Sequence, residues 1–284
     1  MEEAPRPHTP TLTVEPCATT GPDRLIRTIS QTGTIAIKVL VASELVAEAL
    51  SRRAHAPTAG DALGRAMMGA LLIAVGSAPD EADELNVESV QLQFHGDGPL
   101  GSLTTIANSR AEVRGTLQHP EVGLVLADGT PDIARAIGLG PLNVVRHRPR
   151  WRFPNTGTVP LVSGEVAGDL TLYLTESEQT PSAMGLGVAF GPGMRDVAAA
   201  GFLIQALPGA TDEDLEVVEE NVRSLPGLAQ LLREPIDPIE LIDRLMQGLG
   251  IRGPHLMSPR FHCPCTQERA LRTLGLLDRE ELEE

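Results

Sequence analysis

Cys263 and Cys265, in the stretch FHCPCTQERALRTLG, are the residues of this chain whose type and spacing best suit chemistry. Two thiols one residue apart can chelate a single metal ion, and a bound metal keeps them ionised. They can also oxidise to one another through a sulfenic acid, closing a ring too small to pin distant parts of the chain. Structural zinc takes four ligands, commonly as two such pairs. The residues after Cys265 include neither Cys nor His. The nearest histidines, His255 and His262, read as surface residues before substitute ligands. On spacing alone, metal binding and redox use both stay open. Cys17 sits in a proline-rich stretch and reads as an incidental exposed thiol.

Other candidate motifs weaken on inspection. GDGPLG (Gly96, Gly98, Gly101) matches a dinucleotide-binding pattern in letters only. That chemistry needs a helix to start at the third glycine, whereas SLTTIA is β-forming and Pro99 interrupts the run. A turn between two strands is the better account. SEQTPS, from Ser177 to Ser182, places a serine near an acid without flanking elbow glycines, so it reads as a helix end before Pro181. No base, nucleophile or phosphate loop stands out, and the chain reads as non-enzymatic.

The elements that must position the thiol pair follow from periodicity. Strands are expected at TGTIAIKVLV and in a meander over 86–118, where Val90, Leu92 and Phe94 alternate with polar neighbours. Helices are expected at SELVAEALSRR, with Leu45, Ala49 and Leu50 on one face, and at the more apolar TAGDALGRAMMGALLIAVG. A short helix at PDIARAIG, strands at PLNVVR and GTVPLV, a helix at DLTLYLTESEQ and strands at AMGLGVAF and GFLIQALP complete an α+β core with a mixed sheet. After Pro208 the texture turns acidic and helical, broken at Pro226, Pro235 and Pro238 into three short amphipathic helices. A last helix starts near Thr266, a suitable N-cap. The expected organisation is a disordered leader over 1–22, an α+β core over 23–208, a helical linker over 209–260 and a C-terminal segment over 261–284 that carries the cysteines.

Composition bounds the partners. The chain has 284 residues, 42% of them hydrophobic, and a net charge of −15, which disfavours nucleic acid and anionic membranes as partners. Three cysteines make no disulfide framework. The N-terminal residues lack a secretory pattern, and the longest apolar run is interrupted by Arg65, so a cytoplasmic address is expected.

The segments DRLIR, LGRAMMGALLIA, GDGPLG, VRGTLQHP, GTVPLVSGEVAGDLTLYLTESEQTPS, GFLIQALPGA and FHCPCTQERALRTLG, in this order, resemble the redox-regulated thirty-three-kilodalton heat-shock chaperones of bacteria. The resemblance runs from residue 23 to about residue 280. It implies an ATP-independent holdase with a core domain, a metastable linker and a zinc switch, which captures unfolding client proteins and is a homodimer when active. It implies zinc bound by Cys263 and Cys265 in the reduced state and a disulfide chemistry of the same residues on oxidation. Family members add a CxxC pair that would fall past residue 284, so two ligands lie outside this sequence and the switch segment is incomplete here. Family members also carry Tyr-Gln where this chain has Asn155 and Thr156, a change expected to touch one core contact. Two further readings stand beside the main one. One is a holdase that is constitutively active because its switch cannot close; the other is a thiol–disulfide oxidoreductase using Cys263 and Cys265.

Overall fold

The computed structural model describes residues 15–16, 22–76, 87–191, 196–234 and 236–275. Cys17 and most of the proline-rich leader lie outside the described residues. Within that leader, Glu15–Pro16 (β1) is strand and pairs in parallel with Asp196 and Val197, so the expectation of a wholly disordered leader is corrected there.

Two six-stranded sheets enclose a helix. The first is built from β2 (Arg24–Ser30), β3 (Ile35–Val41), β9 (Ser182–Phe190), β10 (Asp196–Ala206) and β11 (Ile251–Met257), with β1 at its margin. β10 lies between β9 and β3, and β2 joins β3 to β11, each pair antiparallel. The second runs β12 (Arg260–Phe261), β6 (Glu112–Leu117), β5 (Leu103–Asn108), β4 (Ser89–Phe94), β7 (Gly140–His147) and β8 (Asn155–Leu161). The alternation expected for Val90, Leu92 and Phe94 holds: all three are buried while Ser89, Gln91 and Gln93 are half-buried. All seven residues of β3 are buried, because that strand is covered on both faces.

Between the sheets lies α2 (Pro57–Ala74), with 16 of its 18 residues buried. Pro57 opens it, where a missing N–H costs nothing. Its glycines set the approach of its neighbours: a Cβ on Gly64 would lie 2.9 Å from a methyl of Val188 on β9. The one internal acid, Asp61, is held by Arg65 through two hydrogen bonds of 2.7 and 3.1 Å. α1 (Ser43–Ser51) has no cap of its own, and Asp23 supplies one by accepting from the Glu44 and Leu45 N–H groups at 3.0 and 2.7 Å. α3 (Ile133–Ile137) and α4 (Val166–Glu176) complete the core.

GDGPLG is a turn, as expected. It joins antiparallel β4 and β5, and the Gly98 N–H donates to the Ile137 carbonyl at the end of α3 at 3.0 Å. A Cβ on Gly98 would overlap those carbonyls, which explains the glycine without any cofactor. α4 ends at Glu176, ahead of SEQTPS, whose Glu178 bonds Arg146 and Tyr173. Asn155 and Thr156 lie exposed on β8, so that departure from the family touches no core contact.

The acidic region holds α5 (Asp212–Ser224), α6 (Leu228–Leu231) and α7 (Pro238–Leu245), the three short helices expected from the proline breaks. It is not helical to residue 260. Ile251–Met257 is an edge strand of the first sheet, with an irregularity in pairing between Arg252 and His255 where Gly253 and Pro254 stand. Pro is tolerated in a strand only at such an edge or bulge.

Candidate functional site

Two places carry the chemistry suggested by the sequence: the thiol pair, and the sheet face beneath the helices that precede it.

The thiol pair hangs from the edge of the second sheet. β12 runs parallel to β6, with the Arg260 N–H donating to Ala111 O and the His262 N–H to Val113 O, both at 2.9 Å. The Arg260 guanidinium bonds the Glu112 carboxylate, and the guanidinium of Arg52, just past the end of α1, sits 5.4 Å from the Phe261 ring centre. These contacts fix the chain up to His262. Cys263 and Cys265 then project as free, exposed thiols. α8 (Gln267–Leu274) follows, its first turn capped as expected by the Thr266 hydroxyl, which accepts from the Arg269 N–H at 3.1 Å.

The two thiols influence one another, and one sulfur is favoured as the thiolate. The hydrogen bond from the Cys265 side chain, with one from its backbone, draws Cys263 below the usual thiol value. Cys265, its partner, is pushed above it by the same contact and by the adjacent negative charge. Arg114 lies near both and favours the ionised forms. Two sulfurs so placed fit one edge of a tetrahedral metal site. No group of three or more His, Cys, Asp or Glu occurs among the described residues, and His255 and His262 do not complete one.

The covered face belongs to the first sheet. Ile26 on β2, Ile35, Ile37 and Val39 on β3, and Phe202 and Ile204 on β10 form its outer apolar surface. Val218 of α5, Leu228 of α6, and Leu241, Ile242 and Leu245 of α7 cover it. The leucines around α6 are covered as well: Leu228 and Leu232 are buried, while Leu225 and Leu231 are half-buried. β9 accommodates α6 through its glycines, since a Cβ on Gly187 would lie 2.8 Å from that of Leu228.

Few polar ties hold this cover. Asp214, at the start of α5, accepts from the Thr34 hydroxyl of the β2–β3 turn at 3.0 Å. Asn221 donates to the carbonyls of Leu245 and Gln247 at 3.1 and 2.9 Å, joining α5 to α7. α5 is thus tied to α7, and the layer rests on the sheet mainly through apolar contact. That layer runs directly into β11, β12 and the thiol pair.

Residues 23–284 match the family model described as Hsp33 protein. The chain belongs to the Hsp33 family. It is 36% identical over 264 residues to the 33 kDa chaperonin of Limosilactobacillus fermentum, covering 92% of this chain and 88% of the relative. The 33 kDa chaperonin of Symbiobacterium thermophilum is 38% identical over 262 residues, covering 92% and 86%. The crystal structure of the 33 kDa chaperonin (heat shock protein 33 homolog) of Thermotoga maritima is similar at a TM-score of 0.82 and 32% identity, over 92% of this chain and 87% of that one. The Hsp33 match agrees with the resemblance read from the motifs. It also agrees with the expected α+β class.

The relatives are named as chaperonins. No described helix is long and apolar enough to cross a membrane. Sequence reasoning missed the importance of Phe261 and Glu112, which anchor the thiol pair. An apolar residue two places before a CxC in an otherwise polar segment was the available signal.

Proposed function

We propose that this chain is an ATP-independent holdase of the cytoplasm, in which the outer face of the first sheet captures unfolding client proteins once α5–α7 lift away. The observation that carries this reading is the apolar face itself. It joins Ile26, Ile35, Ile37, Val39, Phe202 and Ile204, and its cover is tied down by few polar bonds. An apolar surface of this kind, rimmed by polar residues, binds exposed hydrophobic segments without sequence preference.

Cys263 and Cys265 act as the sensor. In the reduced chain they supply two of the four zinc ligands, and bound zinc would keep both sulfurs ionised and the local backbone fixed. On oxidation by a peroxide, one thiolate is converted to a sulfenic acid and the other attacks it. A disulfide forms, the peroxide oxygens leave as two hydroxides, and protons from solvent convert these to water. The ring closed is small and pins nothing remote. The consequence is lost order in a segment joined to β12 and β11, and through them to the cover. The active form is read as a homodimer.

The test is light scattering of a thermally unfolding client enzyme, without ATP, using the 284-residue chain reduced and peroxide-treated. Suppression of aggregation is expected. Because two thiolates alone clamp weakly, suppression is expected even with reductant present, and Cys263→Ser with Cys265→Ser should be nearly as active. Failure to suppress aggregation in both redox states overturns the holdase reading. Activity confined to the oxidised chain overturns the weak clamp and assigns the whole switch to these two cysteines. Turnover of a disulfide substrate without suppression favours the oxidoreductase instead.

A further inference from the structure

A cavity of about 230 Å³ opens at the C-terminal end of α2, between the two sheets. It shares no lining residue with the thiol pair or with the covered outer face. Its walls bring together Lys38 from β3, Gln205 from β10, Arg146 from β7, Arg148 just beyond β7, and Glu178 after α4. Lys38 alternates along β3 with the outward Ile37 and Val39, so its side chain points inward. It is only 2% exposed, a place where lysine almost never lies without a partner.

Part of this charge has a structural use. α2 has no basic residue in its last turn. Its last carbonyls are met from outside, Lys38 Nζ donating to Leu72 O at 2.9 Å and Arg146 Nη2 to Ile73 O at 3.2 Å, and just past the helix Arg27 Nη1 donates to Gly76 O at 3.0 Å. A helix C-terminus carries only about half a negative charge. The carboxylates at hand are Glu178, which holds Arg146 at 2.8 and 2.9 Å, and Glu88, which holds Arg148 Nε at 2.8 Å. Arg27 is engaged elsewhere as well, so the balance at the cavity is that of Lys38, Arg146 and Arg148 against Glu178, Glu88 and the fractional dipole charge. Among the described residues these leave about half a positive charge when Lys38 is protonated, and it borders the cavity.

Donors are left over as well. An ammonium has three N–H groups. Besides Leu72 O, Lys38 Nζ meets only Gln205 Oε1, at a long 3.4 Å, among the described residues. Arg148 is bonded through Nε, and its Nη groups make no hydrogen bond among the described residues. The same guanidinium lies 4.9 Å from the ring centre of Trp151.

We propose that this cavity is a binding site for a tetrahedral oxyanion of the phosphate class, free or as a phosphomonoester. Lys38 Nζ and the Nη groups of Arg148 donate to the anion, and Arg146, locked by Glu178, adds fixed charge. Charge-assisted bonds of this type, in a site partly walled from water, are the strong ones. Burial first, and then Arg146 and Arg27, hold the Lys38 ammonium down to about 7, with Glu178 opposing them. The groups facing Lys38 are thus Arg27 on β2, Arg146 and Arg148 from the β7 side, Glu178 after α4, neutral Gln205 on β10 and the α2 carbonyls. An anion seated beside Lys38 favours its charged form, so binding takes up a proton near neutral pH and tightens as pH falls.

The test uses the full chain at low, fixed ionic strength, followed by calorimetry and by the fluorescence of Trp151, the only tryptophan. Inorganic phosphate and a nucleoside monophosphate are the probes, and sulfate, which does not titrate near neutrality, serves the pH series. One saturable site per chain is expected, weakened at least ten-fold by Arg148→Ala and by Lys38→Met. Sulfate binding should weaken several-fold from pH 6 to pH 8 in the parent chain and lose that slope in Lys38→Met. If Lys38→Met does not fold, Arg148→Ala, at a half-exposed side chain, decides alone. Both probe outcomes support the site: tighter nucleotide binding assigns it to phosphomonoesters with a base on Trp151, and equal binding assigns it to free phosphate. Absence of saturable binding, or binding undiminished in Arg148→Ala, overturns the proposal.

Discussion

On its inner side the first sheet meets α2, a helix with 16 of its 18 residues buried. On its outer side it meets α5, where Val218 alone among 13 residues is buried, and α7, where Pro238, Leu241, Ile242 and Leu245 are. The strand between them is the same: Ala36, Lys38 and Leu40 of β3 face inward, and Ile35, Ile37 and Val39 face outward. A β-strand apolar on both faces must be covered on both, but nothing requires the two covers to be equally strong. Here the inner cover belongs to a core cluster that spans both sheets, while the outer one belongs to a smaller cluster on the first sheet alone. In the proposed function, this difference is what would let one layer leave while the other keeps the sheet intact. A holdase needs both properties, a durable apolar surface and a cover of low stability.

The sharpest way to break this comparison is to truncate one leucine on each side. Leu71→Ala in α2 removes a fully buried side chain from the inner core. It should cost about 2–5 kcal/mol of global stability, read from urea unfolding. Leu245→Ala in α7 removes an equally buried side chain from the outer cover. Its global cost should be clearly smaller, because a detached cover no longer counts against the core. Hydrogen exchange of α5–α7 should rise, and a dye for exposed apolar surface should bind, with β3 and α2 still protected. Equal losses of melting temperature in the two variants would show the cover to be integral, and the proposed client surface would lose its means of exposure.

A second measurement sharpens the inner side through pH. Asp61 in α2 is pushed up to about 6 by burial, against the pull of Arg65. The ordinary value is 3.8, so the folded chain holds this proton more tightly than the unfolded chain does. Below the ordinary value both states are protonated and the group is neutral toward stability. As pH rises through the interval between the two values, stability falls, and above about 6 the full cost applies, on the order of 3 kcal/mol. Asp61→Asn should remove this slope, so the unfolding free energy of the parent minus that of the variant should fall by a few kcal/mol from pH 4 to pH 7. A difference that stays flat would mean that Arg65 fully compensates the burial.

The same contrast explains what could be read from sequence. The inner elements announce themselves: the apolar run of α2 and the alternation of Val90, Leu92 and Phe94 are imposed by burial, and burial leaves a periodic trace. The outer helices were legible through prolines, which break the chain whatever it packs against. β2 was not legible, because RLIRTIS spaces its apolar residues among Arg24, Arg27, Thr28 and Ser30, of which all but Arg24 are buried. β11 was hidden by Gly253 and Pro254, residues that signal a break anywhere except at a bulged edge. The thiol pair was plain as chemistry, but its attachment was not, since β12 and β1 are two residues long and exist only through their partners. Lys38 was the least visible of all. One lysine in a strand reads as solvent-facing, and only the cover on both faces makes it buried.

The smallest expected effect tests how the cover is fastened. Thr211 and Asp214 form a reciprocal capping box at the start of α5: the Asp214 N–H donates to the Thr211 hydroxyl and the Thr211 N–H to the Asp214 carboxylate, each at 3.2 Å. Asp214 also takes the Thr34 hydroxyl, which makes it the polar link from α5 to the β2–β3 turn. Caps of this kind contribute about 1 kcal/mol. Asp214→Ala removes one arm of the box and the tether, whereas Thr211→Ala removes the other arm and leaves the Thr34 bond in place. If the cover moves as one braced layer, both substitutions should raise hydrogen exchange across α5, α6 and α7 together, Asp214→Ala the more so, with β3 unaffected. Exchange that rises in α5 alone would show that the Asn221 bonds to Leu245 and Gln247 do not couple the helices. The outer face would then open piece by piece, and clients would meet it first where α5 lies.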